Sequence, residues 1–296
     1  LYAQATVTPP TFSVSHGYFS APFQLALTAD AGTQIRYTTD YSTPTTTSGT
    51  LYTNPITVDK TTVVRAIAFN ASDDASFTVT QSYIFLDQVR TQSNNPGAGW
   101  PTMFGPTDQY GGPYPAYYEM APEIVNHATN SSQLEDALLS LPAVSLVTDG
   151  ENLWDPSTGI YVNPNEKGRA WERPLSLEWL DPVNNTAGFS LNAGTRVHGQ
   201  ASRRPHRTAK KSLRIYFRSG DYGVGKLDYP LFPGTDATTQ FDRILFRGGG
   251  NRSYPYYDRD QRREADYITD EFSRRIFLGM GGLTAHGTFV HLYLNG

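Results

Sequence analysis

The stretch "RVHGQASRRPHRTAKKSLR", residues 196–214, holds seven Lys and Arg and no Asp or Glu. The whole chain carries 24 basic and 28 acidic side chains, so without this stretch 17 cations face 28 carboxylates. A compact cationic block in an otherwise acidic chain suits the phosphates of a nucleotide, a nucleic acid, an acidic partner, or simply a solvated loop. Phosphate contacts to nucleic acid are largely electrostatic, but one patch on an acidic chain does not make a nucleic-acid binder, and none is expected here. Within the block, Lys210 and Lys211 open the apolar run "SLRIYF". Adjacent strand residues face opposite sides, so only one of the two can enter a cleft. Lys211 keeps phase with Leu213 and Ile215, and Lys210 with Ser212 and Arg214.

The other reactive types form weaker patterns. Histidines 198, 206, 286 and 291 have no carboxylate at ligand spacing, which favours structural roles over a metal. "WERP" reads as a local Glu172–Arg173 ion pair at a strand start. No Gly-x-Ser-x-Gly elbow supports Ser/His/Asp catalysis. Asp258, Asp260 and Asp266 cluster ahead of a helix, where they need only favour its positive end. No catalytic residue is assigned. With no cysteine in the chain, disulfides and Cys-based zinc sites are excluded. Asn-x-Ser/Thr occurs at Asn70, Asn130, Asn184 and Asn251, a motif frequent by chance.

The elements that must hold these residues read as mainly β with some α (α+β), in a chain of 296 residues with 19 Tyr. No run of about 18 apolar residues could span a membrane. Ala3 and Ala5 resemble a signal-peptidase site without the charged start and apolar run of a full signal; the beginning is read as arbitrary. Residues 1–86 read as a β-sandwich: 23–29, 34–40, 55–69 and 76–85 alternate polar and apolar residues between turn formers. Residues 87–140 are dense in Gly, Pro, Asn and Tyr. Trp100, Phe104, Tyr114, Tyr117 and Tyr118 make them an ordered strap, with a short helix that Ser132 and Glu135 would cap. Residues 141–296 offer strands at 143–149, 159–163, 173–180, 195–199, 212–217, 241–248 and 288–296. One strong helix spans 264–281, with apolar Tyr267, Ile268, Phe272, Ile276 and Phe277 at helical spacing. Gly279 or Gly281 ends it. The final Asn-Gly is a hairpin signal, so the second domain reads as truncated.

Two resemblances follow. "PTFSVSHGYFSAPFQLAL", "IRYTTDYSTPT" and "LYTNPITVDKTTVVRAIAF" resemble the Ig-like module at the C-terminus of chitobiase and β-hexosaminidase enzymes, a non-catalytic spacer or binder. That family usually has Asp-Gly-Ser where this chain has Asp40-Tyr41-Ser42, so the turn must be built differently. "LPAVSLVTDGENLWDPSTGIYVNP", "WERPLSLEW", "AGTRVHGQASRRPHRTAKKSLRIYFRSGDYG", "LDYPLF", "FDRILFRGG", "YITDEFSRRIFLGMG" and "HGTFVHLYLNG" occur in order over about 155 residues. Together they resemble the spore-coat protein H (CotH) family in the variety found in large bacterial surface proteins, often beside chitobiase-type modules.

The second resemblance implies a partial, divergent kinase-like domain from an atypical secreted kinase using ATP and Mg²⁺. Kinase-type folds hold nucleotide phosphates with a strand lysine positioned by a helix glutamate. Lys211 would take the first role, helped by Ser202 and Arg203, with Lys210 as the alternative. Glu271 would take the second, with Asp270 and Glu264 as alternatives. In the resembled family the metal-holding acidic residues follow "LYLNG". The chain is therefore expected to bind nucleotide poorly and not to catalyse. Protein substrates, surface-assembly partners and polysaccharide are the expected partners, at the cell surface or outside the cell. Two other functions stay open: a structural surface or filament component, and a carbohydrate-binding module presenting an exposed coplanar row of rings.

Overall fold

The computed structural model describes residues 7–105, 107, 112–184, 186–250, 253 and 263–296. Ala3, Ala5, Asn251, Asp258 and Asp260 lie outside them. The fold is mostly β with few helices, and among the described residues no helix is long and apolar enough to cross a membrane.

The first sheet has five strands. They are β1 (Gly17–Phe19), β3 (Gln34–Thr38), β4 (Thr50–Leu51), β6 (Thr62–Phe69) and β7 (Val79–Phe85), in the order β1-β7-β6-β3-β4. Strand β1 runs parallel to β7 and the other pairs are antiparallel. A two-stranded ladder of β2 (Phe23–Leu25) and β5 (Ile56–Val58) lies beside it. Leu25 and Val58 from the ladder pack with Ile35, Val64, Ala66, Tyr83 and Phe85 from the sheet. The expected strand over 55–69 is thus two strands, broken at Asp59-Lys60-Thr61, because its halves join different sheets.

The second sheet has six strands. They are β8 (Ala143–Val147), β9 (Arg173–Asp181), β10 (Thr186–His198), β11 (Ser212–Tyr216), β12 (Arg243–Phe246) and β13 (His291–Leu294), in the order β12-β11-β10-β9-β8-β13. All neighbours are antiparallel except β8 and β13. Alternation puts Val144, Leu146, Leu175, Leu177, Trp179, Val197, Leu213 and Ile215 into one core. Residues 159–163 form turns rather than a strand, yet Ile160 is buried in that core. Asn295 adopts a left-handed φ of 56°. Its side chain accepts from Thr148 N–H at 2.9 Å and donates to Thr148 O at 3.0 Å, prolonging the β8–β13 pairing.

The polar faces of the two sheets are buried against each other. On β7, Tyr83 and Phe85 point into the first core, while Thr80, Ser82 and Ile84 point at β8 and β9. Thr80 meets Ser176 at 2.7 Å, Ser82 meets Ser145 at 2.8 Å, and Asn192 donates to Thr78 O at 2.8 Å. Glu178 is fully buried; it accepts Ser82 N–H at 2.9 Å and the Ser82 hydroxyl. His16 reaches it from the first unit, Nδ1 lying 3.4 Å from Glu178 Oε1. His16 Nε2 faces Trp179 O at 3.2 Å. A carbonyl only accepts, so Nε2 must carry a hydrogen. Nδ1 and Oε1 can then attract only with a further proton between them. Beyond this polar strip, Ile84, Leu86, Leu134, Leu138, Ala143, Leu180 and Tyr293 close the junction with a shared apolar cluster.

Residues between the sheets contain helices Leu86–Arg90, Pro122–Val125 and Leu134–Leu139. The expected Ser132 cap is not formed, because its hydroxyl donates to Thr129 O at 2.9 Å within a 3-10 turn. The main helix, α1 (Thr269–Gly279), is shorter than the 264–281 periodicity suggests. Gly281, at φ 82°, ends it through Gly281 N–H to Leu278 O. Its apolar stripe is not core: Phe272 is 62% exposed, and Ile268, Ile276 and Phe277 are about half exposed. Glu271 is the helix's buried residue.

Candidate functional site

The cationic block forms the end of β10, a 3-10 turn at Ala201–Arg203 and the start of β11. As alternation requires, Lys211 lies on the same side as Leu213 and Ile215, and it is almost completely buried. Its Nζ donates to Thr208 O at 2.7 Å and sits 5.9 Å from the centre of the Phe104 ring. Burial pushes the amine down to about 7. Arg203 is also buried, and three backbone carbonyls absorb it: Gly199 at 2.6 Å, Pro164 at 3.0 Å and Glu166 at 2.8 Å. Ser202 abuts Gly199, whose φ of 111° and lack of a side chain give the hydroxyl its room. Lys210 is exposed and lies 5.6 Å from the Tyr267 ring centre, next to the start of α1. Glu271 is paired with Arg274 at 2.8 Å and Arg275 at 2.9 Å.

Lys210 thus approaches the helix that carries Glu271, but no hydrogen bond or ion pair joins any two of these five residues. Glu264 shows no partner to any of them, and Asp270 pairs with Arg247 and Arg274. Among the described residues no group of three or more His, Asp or Glu could hold a metal ion. His286 meets Asp236 at 3.1 Å, His291 Nε2 faces Ala137 O at 3.2 Å, and His198 meets Arg214. The arrangement as it stands does not fit ATP with Mg²⁺, since its favoured amine and guanidinium are both spent on backbone carbonyls.

Glu172 does not pair with Arg173. Its nearly buried carboxylate takes Arg218 Nε at 2.9 Å, Arg196 at 3.2 Å and the Tyr222 hydroxyl at 3.1 Å. Arg173 instead donates to the carbonyls of Thr158 and Ala170 and lies over Trp171. Sequence neighbours on a strand point apart, which is why the adjacent pair is the one that does not form. Gly194 is required beneath this node. A Cβ there would meet the Tyr222 hydroxyl and Glu172 Oε1.

A different feature has the dimensions of a binding site. An open groove of about 1160 Å³ runs between the first sheet, the intervening segment and β13. The rings lining it include Tyr37, Tyr41, Trp100, Tyr118, Trp154 and Tyr161. They form no coplanar row. Trp100 meets Tyr41 at 6.0 Å and 80°, Tyr118 at 5.3 Å and 78°, and Trp154 at 6.1 Å and 55°. Edge-to-face contacts fix the rings as walls of a trough. Burial pushes the Tyr118 and Tyr161 phenols up to about 12, so both stay neutral donors. Thr50, Asp59 and Lys60 add polar groups to the rim.

Tyr41 is held there at a cost. Its φ is 69°, the left-handed region that glycine adopts freely and other residues at about 1–2 kcal/mol. Asp40 Oδ1 accepts Ser42 N–H at 3.2 Å and its hydroxyl at 2.5 Å, and buried Arg65 donates to Tyr41 O at 2.6 Å. Arg65 also reaches Asp149 of the second unit at 2.9 Å. The turn that departs from Asp-Gly-Ser is thereby clamped so that a tyrosine ring faces the groove. The departure was visible in sequence. The partners Trp154 and Tyr161 were not, because only the junction brings them near Trp100.

Residues 14–80 match the family model of the chitobiase/β-hexosaminidase C-terminal domain. No curated protein and no solved structure matches the chain.

Proposed function

We propose that this chain is a non-catalytic, glycan-engaging part of a secreted or cell-surface bacterial CotH-like protein. In this reading a chitobiase-type β-sandwich and a CotH-like β-rich unit together form a trough for a polysaccharide chain. The ordered CotH-like motifs of 141–296 support the family, and the domain match over 14–80 supports the accessory role. The observation that carries the binding role is Tyr41. A residue kept at unfavourable φ, where the turn has an unstrained glycine solution, indicates a ring needed for more than folding.

The domain's name, which joins chitobiase and β-hexosaminidase, directs the search to glycans containing N-acetylhexosamine. Edge-to-face walls suit one soluble chain better than a flat crystalline face. Affinity electrophoresis through gels containing soluble glycol chitin tests this. Wild-type protein is retarded, and Trp100→Ala, which removes the ring shared by Tyr41, Tyr118 and Trp154, runs freely. Equal mobility with and without polysaccharide refutes the reading.

A second reading keeps phosphoryl transfer for the intact family protein. It is favoured by Lys210 lying against Tyr267, four residues before Glu271. Calorimetric titration of this chain with ATP and Mg²⁺ tests it. The buried amine of Lys211 leads us to expect weak or absent binding, and tight binding overturns that expectation.

A further inference from the structure

Arg214 and Lys211 leave β11 on opposite sides, so the cationic block has a second face, away from the core and from the aromatic groove. On it, Arg196 of β10 stands directly opposite Arg214 of β11. Like charges in directly opposed positions destabilise a sheet. Arg196 is compensated: it meets Glu172 at 3.2 Å and lies 4.0 Å from the centre of the Tyr216 ring. Arg214 is not. Among the described residues it has no carboxylate partner, and its one polar contact is to His198 Nε2 at 3.2 Å. A guanidinium only donates, so this imidazole nitrogen accepts and His198 is neutral.

The groups facing His198 are Arg214 from β11, Arg203 from the turn and Arg247 beyond β12. Burial and these cations hold its imidazole below the usual range. The acids near them are already engaged, Glu172 with Arg196 and Arg218, and Asp270 with Arg247 and Arg274. A guanidinium with planar donors, an opposed second guanidinium and a suppressed histidine lack one component, an anion.

We propose that the Arg196–Arg214–His198 face is a binding site for a tetrahedral oxyanion, a sulfate or phosphate group. The bound group accepts from Arg214 and neutralises the field that suppresses His198, so capture of the anion takes up a proton on the imidazole. Linkage is reciprocal: an anion that favours the imidazolium binds more tightly when the imidazolium is present. Each unit by which the anion raises the histidine's pKa strengthens binding about tenfold between the high-pH and low-pH limits.

Sulfate is the probe, because it keeps its charge between pH 5 and 8. Histidine ring resonances are followed by NMR across that range, with and without saturating sodium sulfate, against sodium chloride at equal ionic strength. The expected result is a rise of the His198 midpoint by about one unit. Sulfate affinity should be about tenfold stronger at the acid end, with Arg214→Gln abolishing both. His198→Gln retains an acceptor for Arg214 and should bind sulfate with no pH dependence. Inorganic phosphate at pH 8 in parallel shows which group the site prefers. An unmoved His198 midpoint, or undiminished sulfate binding by Arg214→Gln, overturns the proposal.

Discussion

Replacing Glu178 by Leu removes the acid at the centre of the polar junction while nearly keeping its volume. Three partners are affected. Ser82 N–H, 2.9 Å from Oε1, loses its acceptor, His16 Nδ1 loses the carboxylate 3.4 Å away, and the Ser82 hydroxyl retains Ser145 at 2.8 Å. The Ser82 N–H left unsatisfied, at about 1–3 kcal/mol, and the lost ion pair to buried His16 together give about 4 kcal/mol. That is the usual cost of removing one member of a buried pair, about 3–5 kcal/mol. At roughly 2–4 °C per kcal/mol for chains of this size, the melting temperature falls by about 10 °C. Glu178→Gln keeps an acceptor for Ser82 N–H and should cost only about 1 kcal/mol.

The pH dependence separates the two contributions. Burial raises the Glu178 carboxyl above its ordinary 4.5. Below that value folded and unfolded chains are both protonated and the burial carries no charge penalty. As pH rises through the window up to the raised folded value, the unfolded chain releases its proton first, and stability falls. Glu178→Gln should flatten this slope. Scanning calorimetry of the three proteins at several pH values provides the test. A loss under about 1 kcal/mol in Glu178→Leu, or an unchanged slope in Glu178→Gln, would refute the reasoning.

Lys211→Met should raise stability at and below neutral pH, because it removes a buried amine held near 7 in the fold against an ordinary 10.5. Wild type should gain stability as pH rises from about 7 toward 10.5, where the unfolded chain alone still binds the proton, and the variant should not; denaturation at pH 6 and 9 measures both. Gly194→Ala should cost about 2 kcal/mol or more, since its Cβ overlaps the Glu172 and Tyr222 side chains, which are bonded to each other and to Arg196 and Arg218. Urea midpoints check this, and a loss within 0.5 kcal/mol, the range of an ordinary surface change, would show that the node is looser than its geometry.

Most strands were legible because their alternation is local. "LSLEW" gives Leu175, Leu177 and Trp179 to a core by period two alone. The same alternation concealed the junction. Nothing local in Ser176 and Glu178 shows that Thr80 and Ser82, about a hundred residues earlier, are polar in complementary phase. The apolar stripe of α1 misled in the opposite direction: helical spacing gives a face but not its cover, and Phe272 is mainly exposed. At the cationic block, phase placed Lys211 on the apolar side. Whether that side is a cleft or a core depends on Phe104 and Thr208, which only the tertiary fold supplies. Tyr41 was readable as an anomaly against Asp-Gly-Ser, while its place beside Trp100 in the groove was not.

The central claim is that the junction trough exists to hold a glycan, and Tyr41→Gly tests it most directly. Glycine relieves a left-handed residue at a turn held by backbone and Asp40–Ser42 bonds, which offsets the lost ring contact with Trp100. The account predicts a melting temperature equal to or above wild type together with loss of retardation in glycol chitin gels. Undiminished retardation in a folded Tyr41→Gly protein would contradict it.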